Sequence, residues 1–228
     1  MFHVKHNSDD ISFMAEIVKG WGVDISDEQK EMFMFYKDFI IQWNKTIHLV
    51  SRGDESKIVS RHFLESLAII NVFNFKKPLN MMDLGVGAGF PSIPLKILFP
   101  NINLLLVESS RKKSLYLKEL IIYLKLENVS LLTERIENLS KNSHYENSFD
   151  IITARAVAPL NNILALTLPF LKSGETSENR GFFLVYYPIE KEVVLNPEII
   201  KMVAMYDRII NLEGDKKLRF LIFYKSNN

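Results

Sequence analysis

Three glycines at alternate positions, Gly85, Gly87 and Gly89, separate a short apolar run from a helix-like one, and this constrains the fold more than anything else in the chain. Residues 79–84 read as a buried strand. Residues 90–99 space their apolar side chains at helical intervals, and residues 102–107 form the next apolar run. Strand, glycine turn, helix and strand make a βαβ unit. Glycines so placed let the backbone turn tightly and let a ligand lie against it, because no Cβ intrudes. Glu108 closes the second strand 23 residues after Gly85, where a Rossmann-like fold carries the carboxylate that grips ribose hydroxyls. The spacing is GxGxG after Asp83, not the GxGxxG that seats a pyrophosphate. Asp83, Gly85, Gly87, Gly89 and Glu108 therefore point to a nucleoside cofactor without a phosphate, S-adenosylmethionine. A dinucleotide oxidoreductase is the first rival, disfavoured by that spacing.

The 228 residues suffice for one substantial core. The expected organisation is an N-terminal helical cap over residues 1–77 and a cofactor-binding domain over 78–228, joined in one compact unit. There is no cysteine, which removes disulfides, thiolate metal sites and a cysteine nucleophile. No His/Asp/Glu grouping has metal-ligand spacing, and neither a membrane-length apolar run nor a signal peptide is evident. A cytoplasmic monomer is expected. The net charge of +1 leaves RNA contact to local patches. The candidates are Arg111, Lys112, Lys113 and Lys118 after Glu108, and Lys45, Arg52, Lys57 and Arg61 with His48 and His62 upstream.

Along the chain, residues 8–19 read as an amphipathic helix. Ser26 and Gln29 form a capping-box pattern ahead of apolar residues at helical steps, with Phe33, Phe39 and Trp43 at core spacing. A third helix is expected over 56–73. After Glu108, Ser109 or Ser110 caps a helix to Leu126 that buries Leu115, Leu117, Leu120, Ile121 and Leu124. Strands follow at 129–133, 149–153 and 182–187, Arg135, Ile136 and Glu137 fall in a loop, and a helix spans 159–171. Asn196 and Pro197 interrupt a helix-like segment, and the last strands are near 202–212 and 218–225. The fold class is α/β: a Rossmann-like class I methyltransferase with a seven-stranded, mostly parallel sheet and an antiparallel C-terminal hairpin.

Four stretches, WNKTIHLVS at 43–51, RHFLESL at 61–67, DLGVGAGFPSIPL at 83–95 and TARAVAPL at 153–160, carry a resemblance to the small-subunit ribosomal RNA methyltransferase G family, also called glucose-inhibited division protein B. The resemblance implies methyl transfer from S-adenosylmethionine to N7 of one guanine in the decoding-region (530) loop of 16S rRNA, with the small ribosomal subunit as partner. Carried over by motif, it places the cofactor on Gly85, Phe90, Glu108, Ser109, Ser110, Ile136, Glu137 and Arg155. One departure stands out. Where the family usually has a Lys-Gly pair at the end of strand five, this chain has Tyr186 and Tyr187, and an aromatic there can stack on a base.

The residues suit that chemistry. Guanine N7 offers a lone pair and holds no proton, so no general base is needed, and alignment of the reactants suffices. A pyrimidine C5 acceptor would need a cysteine, and an exocyclic adenine amine an Asn/Asp-Pro-Pro-aromatic motif; neither is present. No residue is assigned a catalytic proton transfer; Arg155 is the nearest candidate for a direct role, at the cofactor end, on O6 or on a phosphate. A methyltransferase acting on a small molecule or protein, and a non-catalytic rRNA assembly factor, are the remaining alternatives.

Overall fold

The computed structural model describes residues 5–139, 143–155, 159–176, 178–212 and 214–226. Ala156 to Ala158, within the fourth motif, lie outside them. The sheet order is β3-β2-β1-β4-β5-β7-β6. β1 (Leu79–Leu84), β2 (Ile102–Val107), β3 (Val129–Leu132), β4 (Ile151–Ala154) and β5 (Phe182–Tyr187) pair in parallel, and β7 (Lys217–Lys225) returns antiparallel between β5 and the edge strand β6 (Val203–Asn211). The expected strands fall where the apolar runs are. β1, β2 and β5 are near-continuous apolar runs because helices cover both faces of a parallel sheet.

One face is covered by the helical N-terminal region. α1 (Lys5–Gly20) packs on α2 (Asp27–Asn44), whose capping box forms as read: the Ser26 hydroxyl accepts from the Gln29 amide at 3.2 Å and the Gln29 side chain accepts from the Ser26 amide at 3.0 Å. Gln29 also donates to the Ile97 carbonyl at 2.8 Å, fastening the cap to α4 (Ser92–Leu98). Phe33 and Phe39 are buried, and Trp43 packs against the same core.

The expected third helix is replaced by a chain of different turns. A 3-10 segment (Arg52–Lys57), a π turn (Ile58–Phe63), α3 (Leu64–Leu67) and a second 3-10 segment (Ala68–Asn71) follow one another. Residues 62–69 are all buried, including His62, Glu65 and Ser66, so this stretch has no solvent face to give it a helical period.

Elsewhere, Ser110 caps α5 (Arg111–Tyr123), and Leu115 faces solvent at 52% exposure instead of the core. Residues 136–139 form the short α6 (Ile136–Leu139) rather than a loop. α7 (Leu160–Thr167) tightens into a 3-10 turn at Pro169, and Asn196 and Pro197 start α8 (Pro197–Met202), since proline suits a first helical turn.

The turn after β1 is held from several sides. Gly85, Gly87 and Gly89 have φ of 66°, 59° and 108°. The hydroxyls of Tyr36 on α2 and Tyr116 on α5 both donate to the Ala88 carbonyl, at 2.7 and 3.0 Å. A Cβ at position 89 would collide with the Tyr36 hydroxyl oxygen and crowd Ile93. Asp83 is fully buried and accepts from Ser92 at 2.6 Å and Thr153 at 2.8 Å, tying β1 to α4 and β4. Its carboxyl is thus directed into the scaffold, which corrects the expectation that it touches the cofactor.

Two predictions follow from these contacts. Gly89→Ala should destabilise the protein by about 2 kcal/mol or more, measured by urea unfolding, because it combines a left-handed backbone with a clash against a tyrosine clamp. Burial raises the Asp83 pKa from 3.8 to about 7. Between those values the folded chain keeps a proton that the unfolded chain has released, so the contribution of Asp83 to stability is fullest below pH 4 and is lost as pH rises through 7. Asp83→Asn should flatten this slope, removing a change of up to about 4 kcal/mol across the window in denaturation curves taken at several pH values.

Candidate functional site

The carboxyl ends of β1, β2 and β3 bound a cavity of about 180 Å³ lined by Leu84, Gly85, Val107, Ser109 and residues 134–137. Gly85, Ser109, Ile136 and Glu137 thus come together from the segments that follow three separate strands. Glu108 lies at its edge, 5% exposed, with one carboxylate oxygen accepting from the Gly87 amide at 2.9 Å and the other from the Ser110 amide at 2.8 Å. Each oxygen keeps a further lone pair for a hydroxyl donor. Ser110 is committed to its cap, its hydroxyl accepting from the Lys113 amide at 3.4 Å. Phe90 is 7% exposed. Its ring stacks on His62, with centroids 5.0 Å apart and planes 8° apart, and meets Tyr36 and Phe63. Any ligand contact at Phe90 is therefore with its backbone or ring edge.

Across β1, at the carboxyl end of β4, Arg155 donates to Glu65, which also meets Lys216 at 3.0 Å and Arg61 at 3.7 Å. The Arg155 guanidinium lies 5.2 Å from the Tyr186 ring centroid, and the Tyr186 hydroxyl donates to the Glu65 carbonyl at 3.1 Å. Among the described residues, the buried side-chain nitrogens and oxygens without a hydrogen-bond partner are Arg155 Nη1 and the two ring nitrogens of His62. Burial, reinforced by the Arg155 charge, lowers the His62 pKa to about 4, so near neutral pH the ring is uncharged, with one donor and one acceptor. His62 was expected on an RNA-facing patch; its ring is instead packed beneath Phe90, because the apolar residues on either side bury the whole segment.

The remaining RNA candidates separate. Lys45, Arg52, Arg111 and Lys112 are exposed and Lys113 is half-buried, whereas Arg61 is held by Asp54 at 2.6 Å. A larger cavity, about 830 Å³, opens at the ends of β4 and β5, beside Arg155, Asn161, Tyr186, Tyr187, Lys191 and Lys217. Its basic rim was not apparent in the sequence, since its members are scattered from 155 to 219 and the antiparallel β5–β7 pairing gathers them, Tyr187 lying opposite Arg219. Tyr36, Tyr116 and Glu65 were also missed as site residues. The only signal was a polar group repeated on an otherwise apolar helix face.

S-adenosylmethionine fits this arrangement. Gly87 leaves an open face at the turn, where an added Cβ would have only the Gly85 carbonyl near it, at 3.8 Å. Arg155, at the carboxyl end of β4, has Nη1 without a hydrogen-bond partner, a donor that an acceptor-bearing ligand end could take. Among the described residues no group of three or more His, Asp or Glu could hold a metal ion, and no helix is long and apolar enough to cross a membrane.

Comparison with known proteins agrees with this geometry. Residues 29–183 match the family described as rRNA small subunit methyltransferase G. Relatives named Ribosomal RNA small subunit methyltransferase G include one from Thermoanaerobacter sp., 38% identical over 162 residues covering 71% of this chain and 68% of that protein. Another, from Staphylococcus aureus, is 38% identical over 164 residues covering 72% and 68%. Among solved structures, a mutant of MtNAS in complex with S-adenosylmethionine aligns over 99% of both chains with a TM-score of 0.55 at 13% identity. A SAM dependent methyltransferase from Aquifex aeolicus aligns over 71% of this chain and 90% of its own, with a TM-score of 0.51 at 16% identity. These two likenesses concern the fold; the sequence matches decide the family, and the chain belongs to the rRNA small subunit methyltransferase G family.

Proposed function

We propose that this protein transfers a methyl group from S-adenosylmethionine to N7 of a guanine in the decoding-region loop of 16S rRNA, acting as a cytoplasmic monomer on the small ribosomal subunit. The observation that carries the reading is the order of groups along the sheet. The β3-β2-β1-β4-β5 order sets the residue 134–137 cavity, Glu108, the glycine turn, Arg155 and the 830 Å³ cavity side by side. Adenine, ribose, the methionine end and the acceptor base would occupy these places in turn, as expected for ligands at the carboxyl ends of strands.

When bound, S-adenosylmethionine supplies an electrophilic methyl group on sulfur. The residues bind and align. Glu108 accepts the ribose hydroxyls, Gly85 and Ser109 let the nucleoside approach the backbone, and Ile136 and Glu137 border the adenine. Arg155, oriented by Glu65 and Tyr186, offers Nη1 to the cofactor's carboxylate or to O6 of the base. Placed on N7 it would cover the attacking lone pair, so that position is left open.

Incubating the protein with methyl-labelled S-adenosylmethionine and small subunits from cells lacking the activity, then digesting to nucleosides, tests the reading. Label in 7-methylguanosine is expected; label in another nucleoside, or none while the cofactor is bound, would overturn the acceptor assignment. Glu108→Ala should weaken S-adenosylmethionine binding about tenfold or more by calorimetry, the loss of one charged hydrogen bond. Unchanged affinity would remove Glu108 from the site.

A further inference from the structure

The cavity at the ends of β4 and β5 is larger than one purine requires. Its inner wall is formed by Arg155, Tyr186 and Glu65, and on the reading above the acceptor base would lie against it. Its outer wall is unused by that reaction. We propose that this outer wall binds a second RNA nucleotide next to the methylated guanine, with its base stacked on Tyr187 and its phosphate on Lys191 and Lys217. The proposal rests on the reading that the acceptor is RNA and deepens it.

Tyr187 is built as a fixed platform. Its hydroxyl donates to the Glu192 carbonyl at 3.1 Å, so the ring is held to the loop that follows β5. That loop is itself pinned from both ends. Arg219 donates to the carbonyls of Pro188, Ile189 and Lys191 at 3.3, 3.2 and 2.7 Å while gripping Asp207, and Asn161 donates to the Val194 carbonyl at 3.1 Å and accepts from the Asn196 amide at 2.9 Å. A ring fixed before binding loses little entropy when a base stacks on it.

The charge around the ring has the sign that RNA needs. Four cations and two carboxylates line the cavity. Arg155 is spent on Glu65 and Arg219 on Asp207, whereas Lys191 and Lys217 stand exposed at the rim, the Lys191 ammonium 5.8 Å from the Tyr187 ring centroid. A stacking ring beside two exposed lysines is the usual recipe for holding an unpaired nucleotide irrespective of its sequence. Stacking here would keep the loop splayed, so that the neighbouring guanine can turn its N7 toward the methyl group.

The test measures KM for small subunits at saturating S-adenosylmethionine, together with calorimetric cofactor affinity, for Tyr187→Leu, Tyr187→Phe, Lys191→Glu and Lys217→Glu. Loss of one stacked base should raise the subunit KM about tenfold or more in Tyr187→Leu. Tyr187→Phe, which keeps the ring, should recover most of it. The two charge reversals, at exposed positions that leave the fold intact, should raise KM most at low salt, and cofactor affinity should be unchanged in all four. A wild-type KM in Tyr187→Leu, equal defects in the Leu and Phe variants, or charge reversals without effect would each overturn the proposal. If the wild-type protein itself methylates no RNA, the underlying reading fails, and the proposal fails with it; that outcome is recognised before any variant is compared.

Discussion

The glycine turn is defined by one carbonyl. Ala88 accepts hydroxyls from two tyrosines on different helices, Tyr36 of α2 and Tyr116 of α5, both fully buried. Burial raises both phenols well above the ordinary tyrosine pKa, so both remain donors at any working pH. Glu108 holds the Gly87 amide on the opposite side. The turn thus hangs between the N-terminal cap, the β2–α5 connection and the sheet. The cap is therefore part of the cofactor site's construction, and Gly89 is glycine because Tyr36 occupies the space a side chain would need.

A second consequence concerns charge. The site stores its polar groups behind the turn: Asp83 neutralised by burial, His62 uncharged under Phe90, and Glu65 surrounded by Arg61, Arg155 and Lys216. Buried charges persist only when paired, and Glu65 is paired three times over. Each of these groups is held in place by its neighbours, Asp83 by Ser92 and Thr153 and Glu65 by its cations. Tyr186 joins the same network through its hydroxyl and its ring, integrated with Arg155 and Glu65.

Much of the fold was legible because it obeys local rules. Largely apolar runs gave β1, β2 and β5, and Ser26 with Gln29 gave the start of α2. The glycine spacing and Glu108 marked the turn and the strand end that the structure brings together through the Glu108–Gly87 hydrogen bond. What was not legible depends on tertiary context. The 52–71 segment is buried on all sides over residues 62–69, which erases the periodicity that would mark its turns. Asp83 looks like a ligand-facing acid in sequence, and only the positions of Ser92 and Thr153 show it turned inward. The residues that line the larger cavity, Tyr187, Lys191 and Lys217 among them, come from β5, the loop after it and β7, which no local pattern announces.

The central claim, that ligand binding depends on a turn clamped by groups that touch no ligand, is tested most directly by S-adenosylmethionine affinity in the double variant Tyr36→Phe/Tyr116→Phe. Removing both hydroxyls leaves the rings in the core and the Ala88 carbonyl buried without a side-chain donor. The account predicts a folded protein whose cofactor binding is weakened about tenfold or more, as two lost hydrogen bonds of about 1 kcal/mol each imply. Wild-type affinity in that variant would contradict it, showing that the glycine turn holds its binding geometry unaided.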